Sequence, residues 1–544
     1  MPSTEKPLNS DWNGPWLGPA TVAVLAVLAT LATLQPGVTG PGVTCDELYH
    51  VLTGKRAVLT LRHAGIGYLV NPFNWRDSEI SADAPPVHPP LGSWILGGVH
   101  HLFDVAPDDL RSISIAGGRF APALSLGLLA FLVGLAVARR EGALAGTVAA
   151  AAVVLIPRVF AHAHLAALDM LTTVFFVAAI LAASEAEVRG GRPWMFAMAG
   201  VVWGLTMLVR LHGVLIAPPV TAWMIWRFRR RVVGPLAAWT AAGTTVFLLG
   251  WPWLWADPVN RLLTFLATGT ERQTIHVFYW GQVWGDRDVP WHYPFVLFLV
   301  TVPVGLLLLG GFGVWSKRRS LHSDGLCWLA VAALVVVMAV FAWPGAPVYD
   351  GARLFLMTFP LWAIFAGIGA KAVVDWPVAW WQRRSRGLRT GAVALLVVSQ
   401  AVGIVAYHPC QLSYYNLLVG GLPGAERLGF EICYWGDALV EPILREAQTR
   451  SRGNGILLIP SLAPFHAPGI RMSSPALADH RVPLLDSLSA SQEGAAAPRC
   501  AVVYRRKADL PPTRELMWSG EVVAEYKKQG VWLSRAIELP VPNP

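Results

Sequence analysis

The chain has 544 residues, of which 54% are hydrophobic and 14% charged, with a mean hydropathy of +0.48 and a formal net charge of +9. Soluble domains carry roughly a quarter charged residues, so this composition excludes an ordinary soluble enzyme and points to a polytopic membrane protein. The basic excess sits in short clusters between apolar stretches, which are topology signals, and no nucleic-acid partner is expected.

The N-terminal segment, Met1 to Pro19, is short and polar and lacks a secretory-type basic region, so the first span is read as retained. A span needs about 20 apolar residues to cross ~30 Å of hydrocarbon. On that rule about eleven candidates follow, near 17–35, 112–138, 143–161, 168–185, 194–210, 211–227, 233–251, 293–315, 325–343, 352–374 and 390–407. The split at Arg210-Leu211-His212 is the least sharply marked boundary. Basic residues occupy every second connection: Arg139-Arg140, Arg189 with Arg192, Arg227 to Arg231, Lys317 to Arg319, and Arg383 to Arg389. The positive-inside rule places those loops in the cytoplasm and the alternate ones outside, in the cell (inner) membrane.

The first external loop, 36–111, is much longer than a helix connection requires. It opens on Val43-Thr44-Cys45-Asp46-Glu47 and a helical-looking stretch to Leu61. A Gly/Pro/Asn-rich turn region, the run Val87-His88-Pro89-Pro90-Leu91-Gly92, and a short apolar segment from Trp94 to Phe103 follow. Both helical stretches are too short or too polar to span and are expected to lie along the membrane surface. The loop 252–292 carries Trp253, Trp255, Tyr279, Trp280, Trp284 and Trp291, and reads as a lid or an acceptor groove. Residues 1–407 then form the transmembrane unit, and 408–544 have the composition of a small external α/β domain. Its strands are expected at Gly455 to Pro460, Cys500 to Tyr504 and Val531 to Leu539.

Ionisable groups at a membrane edge are costly, so they are functional candidates by default. Asp46 and Glu47 come first, although Thr44 or Asp46 is equally suited to capping the helix that follows. Asp169 opens an otherwise uncharged span and needs a partner from elsewhere in the fold. The cations on the same face are Arg119, His88, His162, His164 and Arg353, the last close enough to Asp350 for a local pair. Acids and cations converging on one outer face suit transfer from a lipid-phosphate donor. A carboxylate takes the proton of an acceptor hydroxyl, and cations, Arg above all, meet the charge on the departing phosphate.

Asp46-Glu47 after the first span, His88-Pro89-Pro90-Leu91-Gly92, Arg119 in the second span and Leu168-Asp169-Met170 together resemble the protein O-mannosyltransferase family, the membrane-embedded GT-C class of glycosyltransferase family 39. Trp280-Gly281-Gln282 to Pro290-Trp291-His292-Tyr293-Pro294, Tyr349-Asp350-Gly351-Ala352-Arg353, Tyr414-Tyr415-Asn416 to Gly420-Gly421 and Cys433-Tyr434-Trp435-Gly436 look like a bacterial branch of it. The resemblance covers about 35–440 and implies an all-α GT-C fold that moves a hexose, with inversion, from a polyprenyl-phosphate donor. The acceptor hydroxyl belongs to a protein, or to a glycan or lipid of the envelope, since no MIR repeats mark a protein acceptor. The resemblance implies Asp46 as general base with Glu47 beside it, Asp169 as second acid and Arg119 on the donor phosphate. Charge and position extend the phosphate role to Arg353 and His88. No cofactor is expected, and no metal: the acids and His88, His162 and His164 are possible ligands, but their spacing is uninformative.

A transporter or lipid-linked sugar flippase is the competing class, but no internal repeat is visible and the charges gather on one face. Cys410 and Cys433 both fall on the external side, where a disulfide and two buried thiols are equally compatible with the sequence.

Overall fold

The computed structural model describes residues 14–71, 74, 86–271, 273–478, 482–486, 498–510 and 520–540. Part of the turn region in the first external loop, and parts of the Pro/Ala/Ser-rich segments of the tail, lie outside the described residues.

The chain begins with α1 (Leu17–Leu31), α2 (Glu47–Leu69), α3 (Leu91–His101) and α4 (Ile115–Glu141). Then come α5 (Ala143–Leu155), α6 (Pro157–His162), α7 (Leu168–Val188), α8 (Pro193–Val209), α9 (Ala217–Phe228) and α10 (Val233–Leu249). The aromatic loop folds as α11 (Pro258–Glu271) and an antiparallel hairpin, β1 (His276–Tyr279) and β2 (Gln282–Gly285). Next are α12 (Tyr293–Thr301), α13 (Val304–Lys317), α14 (Gly325–Phe341), α15 (Thr358–Val374), α16 (Ala379–Gln382), α17 (Arg386–Ser399) and α18 (Val402–Tyr407).

The count of about eleven full spans is larger than helix length alone supports. Three stretches are long and apolar enough to cross a membrane, namely α4, α7 and the run Arg386–Tyr407. A fourth appears if α12 and α13, bent by 113°, count as one. Six more apolar helices are shorter: α1, α5, α8, α10, α14 and α15. The breaks have local causes. Pro157 starts α6 and Pro303 precedes α13, and each lacks the N–H that would continue the helix before it. At Arg210 the backbone turns extended (φ −160°, ψ 142°), separating α8 from a 3-10 turn and α9.

Ion pairs gather the basic loops at one end of the bundle. Lys317 pairs with Glu141, Lys371 lies 3.6 Å from Glu141, Arg140 lies 3.7 Å from Glu185, and Arg227 pairs with Glu187. Four of the five basic clusters are thereby tied to Glu141, Glu185 or Glu187.

At the other end α2 and α3 cross closely. A Cβ on Gly54 would lie 2.1 Å from the Ser93 carbonyl oxygen, and one on Gly97 would lie 2.1 Å from the Gly54 carbonyl carbon, so both positions require glycine. These are the two short helices expected in the first external loop.

Residues 408–440 carry no strand and lie against the membrane helices: Asn416 donates to the carbonyls of Leu299 and Val302, both at 2.7 Å. The α/β part follows, with α19 (Gly421–Arg427) leading into α20 (Glu441–Ser451), β3 (Ile456–Ile459), α21 (His466–Ser473), β4 (Leu484–Asp486), β5 (Cys500–Tyr504), β6 (Glu521–Lys528) and β7 (Val531–Glu538). The sheet order is β4-β3-β5-β7-β6, with β3 parallel to β4 and β5, and β7 antiparallel to β5 and β6. The three expected strands are β3, β5 and β7. Cys410 and Cys433 are buried free thiols.

Asp437, at the junction of the two parts, is fully buried, and its Oδ2 has no hydrogen-bond partner. Burial pushes its carboxyl up to about 7. The folded chain thus holds a proton there that the unfolded chain releases near pH 4, and stability falls as pH rises from about 4 to about 7. The Asp437→Asn variant is expected to flatten that part of the curve of melting temperature against pH; a slope equal to wild type would remove Asp437 as its source.

Candidate active site

The site is built on a lock formed by Glu47. This carboxylate is fully buried and accepts from the backbone N–H groups of Thr44 (2.8 Å) and Ala166 (2.8 Å). It also accepts from Arg119 Nε (2.7 Å) and Nη2 (2.8 Å). Arg119 spends its remaining N–H groups on the carbonyls of Leu34 (3.2 Å), Pro41 (2.9 Å) and Gly42 (2.8 Å). A guanidinium has five N–H donors, and all of Arg119's are taken. None is left for a phosphate. What the pair does is fasten the exit of α1, the start of α2 and the residues before α7 to one point, and Asp46 and Asp169 both lie within reach of Arg353.

Asp46 precedes the first helical residue of α2, but its side chain makes no capping bond, and the Thr44 hydroxyl has no partner. Capping therefore does not account for the acid. Asp46 accepts from Arg353 Nη1 at 3.1 Å and from the Cys45 thiol at 3.4 Å. Asp169, in the first turn of α7, accepts from Arg210 Nη1 at 2.6 Å and lies 3.9 Å from Arg353 Nε. Arg353 also donates to Asp350 at 3.0 Å, the local pair expected from sequence, without being confined to it. Two carboxylates and two guanidinium groups thus form a balanced inner set. Their exposure separates the acids: the Asp46 side chain is 30% exposed, whereas Asp169 is at 2% and Glu47 at 0%.

Polar groups without partners surround this set. Arg353 Nε, Trp435 Nε1, His50 Nδ1 and both ring nitrogens of His162 are buried with no hydrogen-bond partner. Arg210 makes a single side-chain hydrogen bond among the described residues. The Arg353 guanidinium lies 4.3 Å from the Trp435 ring centroid, and Trp435 lies 5.6 Å from His162. Buried polar groups in folded proteins are nearly always paired, so such a concentration of unpaired ones marks a place for a polar ligand.

His88 stacks on His50, with centroids 5.6 Å apart at 29°. Burial holds His50 down to about 4, and burial together with Arg210 keeps His88 well below the ordinary histidine value. Both are therefore neutral at physiological pH, so His88 has a hydrogen bond to offer but no charge. His164 lies apart, bonded to Thr33 Oγ1 (2.8 Å) and the Phe160 carbonyl (2.9 Å). No group of three or more His, Cys, Asp or Glu side chains among the described residues is arranged to hold a metal ion.

Arg210 and His50 were not singled out as site residues from sequence, and Trp435 entered only within the run Cys433-Tyr434-Trp435-Gly436. Arg210 had a signal, a lone charge between two apolar stretches, but there it was read as a span boundary.

Residues 87–255 match the family model described as dolichyl-phosphate-mannose-protein mannosyltransferase. That segment includes His88, Arg119, Asp169 and Arg210. No curated protein matches the chain in sequence. Among solved structures, the chain is similar to ArnT from Cupriavidus metallidurans bound to undecaprenyl phosphate (TM-score 0.50, 16% identity, 95% of this chain and 97% of that one). It is also similar to the archaeal oligosaccharyltransferase AglB from Archaeoglobus fulgidus in complex with an inhibitory peptide and a dolichol-phosphate (TM-score 0.52, 13% identity, 95% of this chain and 74% of that one). At these identities the likeness concerns the fold, which is that of the GT-C glycosyltransferases.

Proposed function

We propose that this chain, GT-C in fold and protein-mannosyltransferase-like over 87–255, transfers a hexose from a polyprenyl-phosphate carrier to an acceptor hydroxyl at the external face of the cell membrane. The observation that carries the reading is the contrast between the arginines. Arg119 is saturated, while Arg210 and Arg353 keep guanidinium N–H groups free beside a partly exposed carboxylate. A phosphate needs such a planar set of donors. The phosphate role first given to Arg119 passes to Arg353 and Arg210, with His88 as a neutral donor beside them.

In the proposed step Asp46 removes the proton of the acceptor hydroxyl as its oxygen attacks the anomeric carbon from the face opposite the phosphate. The bond from that carbon to the phosphate oxygen breaks, and the electron pair leaves with the lipid phosphate. Arg353 and Arg210 meet the charge that develops there. The anomeric configuration inverts, and the proton ends on Asp46. Asp169 keeps the two guanidinium groups in place. His162 and the Trp435 indole N–H have unspent hydrogen bonds to offer sugar hydroxyls. The aromatic hairpin β1–β2 is joined to the Arg353 segment through Val348 N–H donating to the Asp286 carbonyl (2.8 Å), which suits a cover over the acceptor path. Protein and envelope-glycan or lipid hydroxyls are both chemically suitable acceptors.

The test is a donor screen with the purified full chain, several polyprenyl-phosphate hexoses and a panel of acceptors, scored by release of lipid phosphate. Release with at least one donor is the expected result. Failure of the whole panel, in a preparation that binds undecaprenyl phosphate, would remove the transferase reading.

A further inference from the structure

We propose that Arg506, carried by the C-terminal α/β domain, is a positioning residue of the active site, holding Asp350 so that Arg353 stays on Asp46. The consequence for turnover rests on the transferase reading; the geometric claim does not.

Arg506 follows β5 directly after Arg505 and is 3% exposed, although its chain neighbours belong to a soluble-looking domain. Its Nη1 donates to Asp350 Oδ1 at 2.6 Å and also to the Tyr434 carbonyl. Its Nη2 donates to the His276 carbonyl in β1 at 3.3 Å, and its Nε pairs with Asp509. One side chain thus ties together the Asp350 loop, the segment bearing Trp435, the aromatic hairpin and its own domain.

The Asp350 loop needs such a tie. Asp350 has φ +54° and Gly351 φ +66°, so a residue with a side chain sits in the left-handed region. A non-glycine residue there carries a conformational cost and persists only when its surroundings over-determine it. Here both carboxylate oxygens are taken, Oδ1 by Arg506 and Oδ2 by Arg353 at 3.0 Å. Without Arg506, Asp350 is a buried acid with Arg353 as its nearest cation. That draws the Arg353 guanidinium toward Asp350 and away from Asp46, since one buried cation cannot neutralise two acids equally. The α/β domain thereby sets the geometry of chemistry performed among the membrane helices.

The experiment uses Arg506→Gln, Arg506→Lys and Asp509→Asn in the full chain. Arg506→Gln is expected to lower kcat about 100-fold, the scale of an ångström-level misplacement of a reacting group. Donor KM is expected to rise by much less than kcat falls, because Arg353 shifts while Arg210 and His88 stay in place. Arg506→Lys keeps the charge and should recover part of kcat, whereas Asp509→Asn keeps the Asp350 contact and should stay within about twofold of wild type. If Arg506→Gln fails to fold, the Arg506→Gln, Asp350→Asn pair removes both charges and should restore Arg353 to Asp46 with a higher kcat than Arg506→Lys. A kcat near wild type in a folded Arg506→Gln protein overturns the proposal. If the wild type releases lipid phosphate from no donor, the transferase reading fails on its own, and the geometric claim is read from a cryo-EM map of Arg506→Gln. There an Arg353 guanidinium out of hydrogen-bond reach of Asp46 supports it, and an unmoved one overturns it.

Discussion

Replacing Asp46 by asparagine is expected to lower transfer by about 100- to 10,000-fold, the range of a lost general base, while the protein still folds and still binds undecaprenyl phosphate. The shape of the side chain is kept and the Arg353 contact at 3.1 Å can be made to the amide oxygen, so neither helix packing nor the phosphate donors are disturbed. Only the ability to take a proton is lost. Asp169→Asn is a useful contrast, because Asp169 is enclosed and holds Arg210 at 2.6 Å, so its loss should raise the donor KM as well as lower kcat. Turnover is followed by lipid-phosphate release and binding by retention of labelled undecaprenyl phosphate. An Asp46→Asn enzyme with wild-type kcat would transfer the base role elsewhere.

The second large effect is expected on stability, from Arg119→Ala. That change leaves the fully buried Glu47 carboxylate without its cation and strips the carbonyls of Leu34, Pro41 and Gly42 of a donor. Removing one partner of a buried ion pair costs about 3–5 kcal/mol, enough to place a marginally stable chain near unfolding. The expected outcome is a large drop in melting temperature and in the yield of folded protein in detergent. A variant that melts like wild type but has a raised donor KM would instead return Arg119 to the phosphate.

The two arginines show how far the sequence could be read. Asp46, Asp169, Arg119 and Arg353 stood out because a charge in apolar surroundings is conspicuous, and the structure joins Arg353 to both Asp46 and Asp169, and Arg119 to Glu47. Sequence does not reveal which cation is saturated. That depends on carbonyls of the chain between α1 and α2, which only the folded backbone brings to Arg119. Arg210 was hidden by its own position, because an arginine with a histidine two residues on, at the end of an apolar run, looks like the end of a span. Arg506 sits in the run Arg505-Arg506-Lys507, which has the appearance of a solvated surface, and its burial arises from tertiary packing alone. The strands β3, β5 and β7 were legible because they are apolar, whereas β6, Glu521–Lys528, is polar and lies at the sheet edge. The span boundaries were less legible, because an apolar run does not record where Pro157 and Pro303 interrupt the backbone.

The even balance of Asp46 and Asp169 against Arg210 and Arg353 bears on how a catalytic cycle ends. A sugar phosphodiester enters with one negative charge, and the lipid phosphate it leaves behind is a monoester able to carry nearly two. A cluster with a large surplus of cations would grip that product more firmly than the substrate and stall on it. Here the incoming phosphate already tips the balance negative, and the step conserves that charge, because the proton taken by Asp46 offsets the second charge on the departing phosphate. On the proposed reading, the spent carrier therefore leaves most readily once Asp46 has passed its proton on, when both acids again stand against the phosphate.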